Sequence, residues 1–265
     1  MKVLIKIGGT LLDQPETRSR LAREISAASR AGARIVVVHG GGKQTTQYLA
    51  ERGIASRFVN GLRVTTPDVV DAVLKVLAGT VNQHLVAALV AAGAGAVGLS
   101  GMDALLAEAE SMSPDLGHVG RITGVNGSLL DLLTGGGYLP VVACLAGDRD
   151  GNFYNVNADQ MASACACAFH ASKLLFLTDV EGVRNRESVI CPTLTFSECR
   201  SLIDQQVATG GMQAKLEATI AALLGGVDEV IIAPGARNGI VPDLIASQAI
   251  GTRLLAEKIG SLANG

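Results

Sequence analysis

Tryptophan is absent from the chain, and aromatic residues make up only 3% of it. No stretch concentrates lysine and arginine, and the formal net charge is −2. Nucleic acid is held by cationic tracks along its phosphates and by aromatic platforms under its bases, so it is not an expected partner. Long apolar runs are missing as well. The longest, "LVAALVAAGAGAVGL", is short for a bilayer span and broken by glycine, so it reads as a buried helix followed by a strand, and no membrane association is expected. The opening "MKVLIKIGG" lacks the apolar core and small-residue cleavage site of a signal peptide. Cysteine is sparse: Cys144, Cys165, Cys167, Cys191 and Cys199 form an odd set with no C-x-x-C pair. Reduced, mostly buried thiols in a cytoplasmic protein are the expectation. Cys165 and Cys167 lie two apart in a helical stretch, point to different faces and make a poor metal pair.

Several catalytic patterns are also lacking. His39, His84, His118 and His170 are scattered, without an H-x-x-x-H pair, and there is no G-x-S-x-G elbow. His39 ends an apolar run beside three glycines, a place compatible with either a functional or a structural histidine. Gly93 to Gly98 fit G-x-G-x-x-G but leave a predicted helix and open a strand, the reverse of the dinucleotide order. "HGGGKQT" lacks the spacing of a nucleotide P-loop, because Val37 stands five before Gly42 and Gln44 follows Lys43. "GDRDGN" has no downstream glutamate at calcium-loop spacing and reads as a turn. No Pro/Ser-rich linker interrupts the chain, so residues 1–265 are expected to form one domain with two lobes, about 1–155 and 156–265.

What is present is alternation. Short β-branched runs (Val3–Ile7 and the strands within "RIVVVHGGG", "GGGYLPVVACLA", "KLLFLTDVEGV" and "VDEVIIAPG") alternate with helical patterns. This predicts an α/β fold, an αβα sandwich around a mostly parallel sheet. Pro15–Ala31 reads as a helix. "TTPDVVDAVLKVLAG" reads as another, with Thr66 as N-cap and Pro67 at its first position. The stretch from Met102 to Gly124 is irregular, with a hairpin expected around "LGHVGRITG". "TFSECRSLIDQQVATGG" reads as a helix and "GTRLLA" as a last strand.

Two glycine loops carry the chemical signal. "IKIGGT" and "VVVHGGGK" each put consecutive glycines at the C-terminal end of a predicted strand, where open α/β sheets bind ligands. Glycine lets backbone N–H groups approach an anion closely. Lys6, inside an otherwise apolar strand, is costly to bury unless an anion meets it. Asn155, Asn157 and Asp159 stand where a strand becomes a helix, and Lys215 sits about one turn into another helix.

In order along the chain, "IKIGGT", "HGGGKQ", "NGLRVTTP", "NVNADQ", "LTDVEGV" and "GGMQAK" resemble the motifs of the amino acid kinase family, and within it the N-acetylglutamate branch. The resemblance runs from Lys2 to about Ala256. It implies ATP-dependent phosphorylation of the γ-carboxylate of N-acetyl-L-glutamate, with Mg2+ carried on the ATP phosphates rather than on a protein metal site. It implies an N-terminal lobe for the amino acid, a C-terminal lobe for the nucleotide, and a homodimer. By the same resemblance Lys6 and Lys215 flank the transferring phosphoryl group and Asp159 holds both ammoniums. Gly8, Gly9, Gly41 and Gly42 supply N–H donors to phosphate or acyl oxygens. Arg63 grips the substrate α-carboxylate and Asn155 its acetamido end. Asp179, Val180, Glu181, Gly182, Val183 and Arg184, with Thr209, Gly210 and Gly211, line the nucleotide site.

Elementary chemistry agrees with such a site. A carboxylate with an ordinary pKa near 4 is already ionised at neutral pH, so the acceptor needs no general base. The difficulty is crowding carboxylate against triphosphate, and one cation about 4 Å from an anion contributes roughly 4 kcal/mol at an effective dielectric of 20. Two features depart from the family pattern. Met102 stands where relatives commonly carry lysine, and "IIAPGARNG" lacks the usual D-G-R. The chain also starts almost at its first strand, without the N-terminal helix of arginine-inhibited relatives, so a dimer without arginine feedback is expected. Three rival readings remain open at this level: a sister kinase for carrier-linked aminoadipate or free glutamate, a non-catalytic sensing module of the same fold, and a nicotinamide-dependent dehydrogenase resting on the misplaced glycine pattern at Gly93 to Gly98.

Overall fold

The computed structural model describes residues 1–255. The chain enters through β1 (Lys2–Ile7), a one-turn helix α1 (Gly9–Leu12) and the longer α2 (Pro15–Arg30), then β2 (Arg34–His39) and α3 (Gly42–Glu51). Val3, Leu4, Ile5 and Ile7 are fully buried, as are Val36, Val37 and Val38. Burying each such side chain contributes about 1.5–3 kcal/mol, which is why both strands are apolar on both faces. A small hairpin, β3 (Phe58–Val59) and β4 (Leu62–Arg63), follows.

Next comes a continuous helix over Pro67–Ala91: α4 (Pro67–Val73), a π-helical segment over Leu74–Val81, and α5 (Asn82–Ala91). Thr66 caps it as expected, accepting from the Val69 N–H. Val69, Val73, Leu77, Val81, Leu85 and Leu89 are all buried, a strict spacing of four. In a regular α-helix such a row drifts by about 40° per step, roughly 200° over five steps. The wider turn over 74–81 takes back part of that drift and keeps the row against the core. The helix has the length and apolar content of a bilayer span.

The chain continues through β5 (Gly95–Leu99), β6 (Ala107–Ser111), β7 (Gly120–Val125), α6 (Gly127–Gly135), β8 (Tyr138–Ala143), β9 (Leu145–Gly147), β10 (Phe153–Asn155), α7 (Ala158–Ala168) and β11 (Lys173–Thr178). It closes with β12 (Thr193–Leu194), α8 (Phe196–Asp204), α9 (Gly210–Leu224), β13 (Glu229–Pro234), α10 (Ile240–Ile245) and β14 (Thr252–Leu255). Ala256 of the expected last strand lies outside the described residues.

The main sheet has the order β12-β14-β13-β11-β1-β2-β8-β5, and its six strands from β13 to β5 run parallel. β14 runs antiparallel to β13, which the sequence did not indicate. The path β1→β2 steps one way along the sheet and β11→β13 the other, so right-handed crossovers place α2 and α9 on opposite faces. The three-layer αβα arrangement with a mostly parallel sheet is thus as expected.

Two expectations need correction. The irregular stretch after Met102 contains more than a hairpin: β6 and β7 join β9 and β10 in a second, four-stranded sheet. Its strands are short and glycine-interrupted, so their alternation is hard to see in the sequence. The helix expected over "TFSECRSLIDQQVATGG" ends at Asp204, with Gln206 at φ 56 breaking it. Its start is well marked, since Thr195 and Glu198 form a reciprocal capping box.

Candidate active site

The sheet changes direction between β1 and β11, and the crevice outside the C-terminal ends of those strands is the place where such folds bind ligands. Lys6 stands one residue before the end of β1, 8% exposed. Its Nζ lies 2.8 Å from Asp159 Oδ1. Lys215, from the second turn of α9, places its Nζ 2.9 Å from Asp159 Oδ2 and 5.0 Å from the centre of the Phe176 ring. Asp159 is fixed in the first turn of α7 by Asn157, whose Oδ1 accepts from the Asp159 and Gln160 N–H groups. Three segments far apart in the chain therefore converge on one carboxylate.

The electrostatics of this cluster are unbalanced. Burial raises the Asp159 pKa, and the ammoniums of Lys6 and Lys215 more than reverse that, so it stays below the ordinary carboxylate value. Lys215 is lowered, first by burial and then by Lys6, with Asp159 partly offsetting both. Two ammoniums share one carboxylate, leaving one positive charge in excess at a crevice. The alkaline limb of the kcat/KM profile for a polyanionic substrate is accordingly expected below 10.5, the ordinary lysine value. Bound phosphate favours the ammonium, so the corresponding limb of kcat should lie higher. pH–rate profiles check this, and coincident limbs would refute it.

The glycine loops meet beside this cluster. A side chain on Gly9 would come within 3.3 Å of Gly41 Cα, so the two loops are nearly in contact. A methyl group on Gly41 would collide with Leu77, which the π-helical segment presents to it. Gly9 and Gly42 open α1 and α3, where N–H groups lack intrahelical acceptors and suit an anion. Gly8 differs from its expected role. Its N–H donates to Leu177 O at 2.9 Å and is spent on the neighbouring strand, so Gly8 offers no free donor to phosphate.

Arg63, Asn155, Gly41 and Gly42 line one cleft of about 180 Å³. The Arg63 guanidinium is buried and donates to Ser56 Oγ at 2.6 Å, Gly42 O at 2.9 Å and Thr46 Oγ1 at 2.8 Å, with its Cζ 4.7 Å from the Phe58 ring centre. Asn155 donates to Thr65 Oγ1 at 3.1 Å. Sequence reasoning missed Phe58, Leu62, Leu77 and Cys144, which also line the cleft. The first two had a signal: Asn60-Gly61 is a hairpin dipeptide, and both residues adopt positive φ, 49° and 78°. Nothing in the sequence around Leu77 or Cys144 distinguishes them from core residues.

The expected nucleotide segment divides. Asp179, Val180, Glu181 and Arg184 are exposed at the end of β11, and Asp179 attracts Lys215. Thr209, Gly210 and Gly211 open α9, the helix that carries Lys215. Gly182 and Val183 turn inward. The Val183 side chain is fully buried, its N–H donates to Thr252 Oγ1 at 2.8 Å and its carbonyl accepts from Cys191 N–H, so its donor is spent within the fold. Arg184 Nη1 folds back onto Ser188 O. His39 resolves toward structure: it is fully buried, lies 3.1 Å from Gly40 O and 3.0 Å from Asn82 Nδ2, and burial pushes its pKa down to about 4. Among the described residues no group of three or more His, Cys, Asp or Glu side chains is placed to hold a metal ion.

The model of the amino acid kinase family matches residues 1–234. The chain is 60% identical over 255 residues to the acetylglutamate kinase of Solibacter usitatus, covering 96% of this chain and 99% of the relative. It is 42% identical over 259 residues to that of Acidobacterium capsulatum, covering 97% and 100%. Among solved structures it resembles an N-acetylglutamate synthase from Neisseria gonorrhoeae complexed with coenzyme A and N-acetyl-glutamate, with a TM-score of 0.86 and 27% identity. That match covers 96% of this chain and spans 59% of the synthase. The carbamate kinase of Giardia lamblia shares the fold, with a TM-score of 0.69 at 16% identity. A glycine-bounded crevice at the sheet's turning point, two lysines on one aspartate, and these likenesses along the chain's length lead to one conclusion: the chain belongs to the amino acid kinase family.

Proposed function

We infer that the protein is an acetylglutamate kinase, transferring the terminal phosphoryl group of ATP to the γ-carboxylate of N-acetyl-L-glutamate in arginine biosynthesis. The observation that carries this is the convergence of Lys6 and Lys215 on Asp159 beside a cleft that ends in a buried arginine. Arg63 suits a planar carboxylate, because its forked donors fit two oxygens at once. Asn155 offers an amide to the acetamido group. The γ-carboxylate then lies toward Gly41 and Gly42, and the incoming phosphoryl group beside Gly9.

Phosphoryl transfer is largely positioning and charge stabilisation, and these residues supply both. Lys6 and Lys215 neutralise the equatorial oxygens, while free N–H groups of the glycine loops take further negative charge. Asp159 keeps the two ammoniums apart from each other and aimed at the crevice. Asp179 to Glu181 and Thr209 to Gly211 form the nucleotide side. Magnesium would arrive on the triphosphate, where it would supply added charge neutralisation.

The N-terminal lobe, about 1–155, would hold the amino acid and the C-terminal lobe the nucleotide. We assign a homodimer to the β5 side of the sheet. β5 is an edge strand, and Val90, Leu132 and Tyr138 are exposed on the elements around it, at 54%, 72% and 52%. Such an edge invites pairing with a second copy. The five free cysteines suit a reducing, cytoplasmic setting.

An ADP-release assay with N-acetylglutamate, glutamate and N-acetylaminoadipate side by side tests the assignment. Turnover should be greatest with N-acetylglutamate, and preference for either other acceptor would overturn it. Arg63→Ala should raise the KM for N-acetylglutamate about tenfold or more, the worth of a charged hydrogen-bonded contact, and leave the KM for ATP unchanged. A change confined to the ATP KM would remove Arg63 from the acceptor site.

A further inference from the structure

Arg20 and Glu24 lie one turn apart on α2, away from the crevice, yet both reach the turn that leaves β13. Arg20 Nη1 donates to Glu24 Oε1 at 2.8 Å and to Arg237 O at 2.7 Å, and its Nη2 donates to Gly235 O at 2.5 Å. Glu24 accepts from Gly239 N–H at 2.9 Å and Val241 N–H at 3.0 Å. Both side chains are largely buried, at 15% and 13% exposure, so water competes little for these bonds. A cap for the short helix α10 would need Glu24 alone. Arg20 adds two carbonyls of the turn itself.

The turn is wired into the site. Gly235 N–H donates to Thr178 O at 2.8 Å, directly before Asp179, and Gly8 N–H donates to Leu177 O. A side chain on Gly235 would collide with Leu11, two residues beyond Gly9. The backbone at 8–9, 177–178 and 235 therefore forms one connected row across β1, β11 and β13. We propose that Arg20 and Glu24 are positioning residues for the phosphate-donor half of the site, clamping the 235–241 turn so that this row keeps its place. The proposal builds on the kinase reading given above.

Arg20→Met, with its pairing lost, is expected to raise the KM for ATP about tenfold, since small misplacements near reacting groups are costly, and to leave the KM for N-acetylglutamate within about twofold. Arg20→Lys should recover part of the loss. Amide exchange in the peptides Gly8–Leu12 and Leu175–Asp179 should quicken in Arg20→Met and move back toward wild type in Arg20→Lys. If Arg20→Met does not fold, Glu24→Gln, which keeps one acceptor, carries the same comparisons. Unchanged exchange in those peptides, or equal rises in both KM values, overturns the positioning role. Exchange does not depend on turnover, so a wild-type protein silent with ATP would overturn the kinase reading and leave the clamp to be judged by exchange.

Discussion

Replacing Lys6 with alanine is expected to lower kcat by about 10²-fold or more while the protein stays folded. That is the scale for removing one donor from developing negative charge in a water-poor site. Lys6 meets the conditions for such an effect: it is 8% exposed, and its Nζ is held 2.8 Å from a fixed carboxylate. The loss should fall on kcat more than on either KM, because charge on the migrating group is spread differently in the transition state. Steady-state kinetics with both substrates varied decide the matter. A loss under about threefold would show that Lys6 merely neutralises Asp159.

The second large effect is on stability. Asp159→Ala leaves two ammoniums buried within reach of one another, and breaking such a cluster costs about 3–5 kcal/mol. The side chains of Lys6, Asp159 and Lys215 are 10%, 10% and 8% exposed, so solvent does little to soften this. The pH dependence has a definite sign. With its folded pKa held below 3.8, Asp159 contributes fully above that value, and the contribution is lost as pH falls through the folded value. In the variant, the deficit should shrink at high pH, where one lysine can shed its proton. Urea denaturation from acid to alkaline pH measures both trends. A deficit under about 1 kcal/mol near neutrality would place the cluster with ordinary surface pairs.

The sequence made the skeleton of the fold readable because its parallel strands are short, apolar on both faces and bounded by glycine. Lys6 was conspicuous for the same reason, as a charge within such a run. The second sheet was not readable, since Ala107–Ser111 and Leu145–Gly147 are too short to display a period. The sequence could nominate Lys215 and Asp159 only through family likeness, since a lysine within a helix and an aspartate in a first turn are common on any surface. Their meeting is a product of strand order, which places β1 between β2 and β11. Gly8 and Val183 show the opposite limit. Their motifs suggested ligand contacts, and backbone hydrogen bonds elsewhere had already claimed them.

The π-helical segment over Leu74–Val81 also bears on what this chain tolerates. Deleting a single residue there would let regular α-helical bonding run unbroken from Pro67 to Ala91. The roughly 100° of rotation lost with that residue would be largely made up by the tighter winding of the rest of the segment. Val69 and Val73 before it and Leu85 and Leu89 after it would keep facing the core. What would go is the widened turn that sets Leu77 against Gly41, so the cleft rather than the fold would register the change.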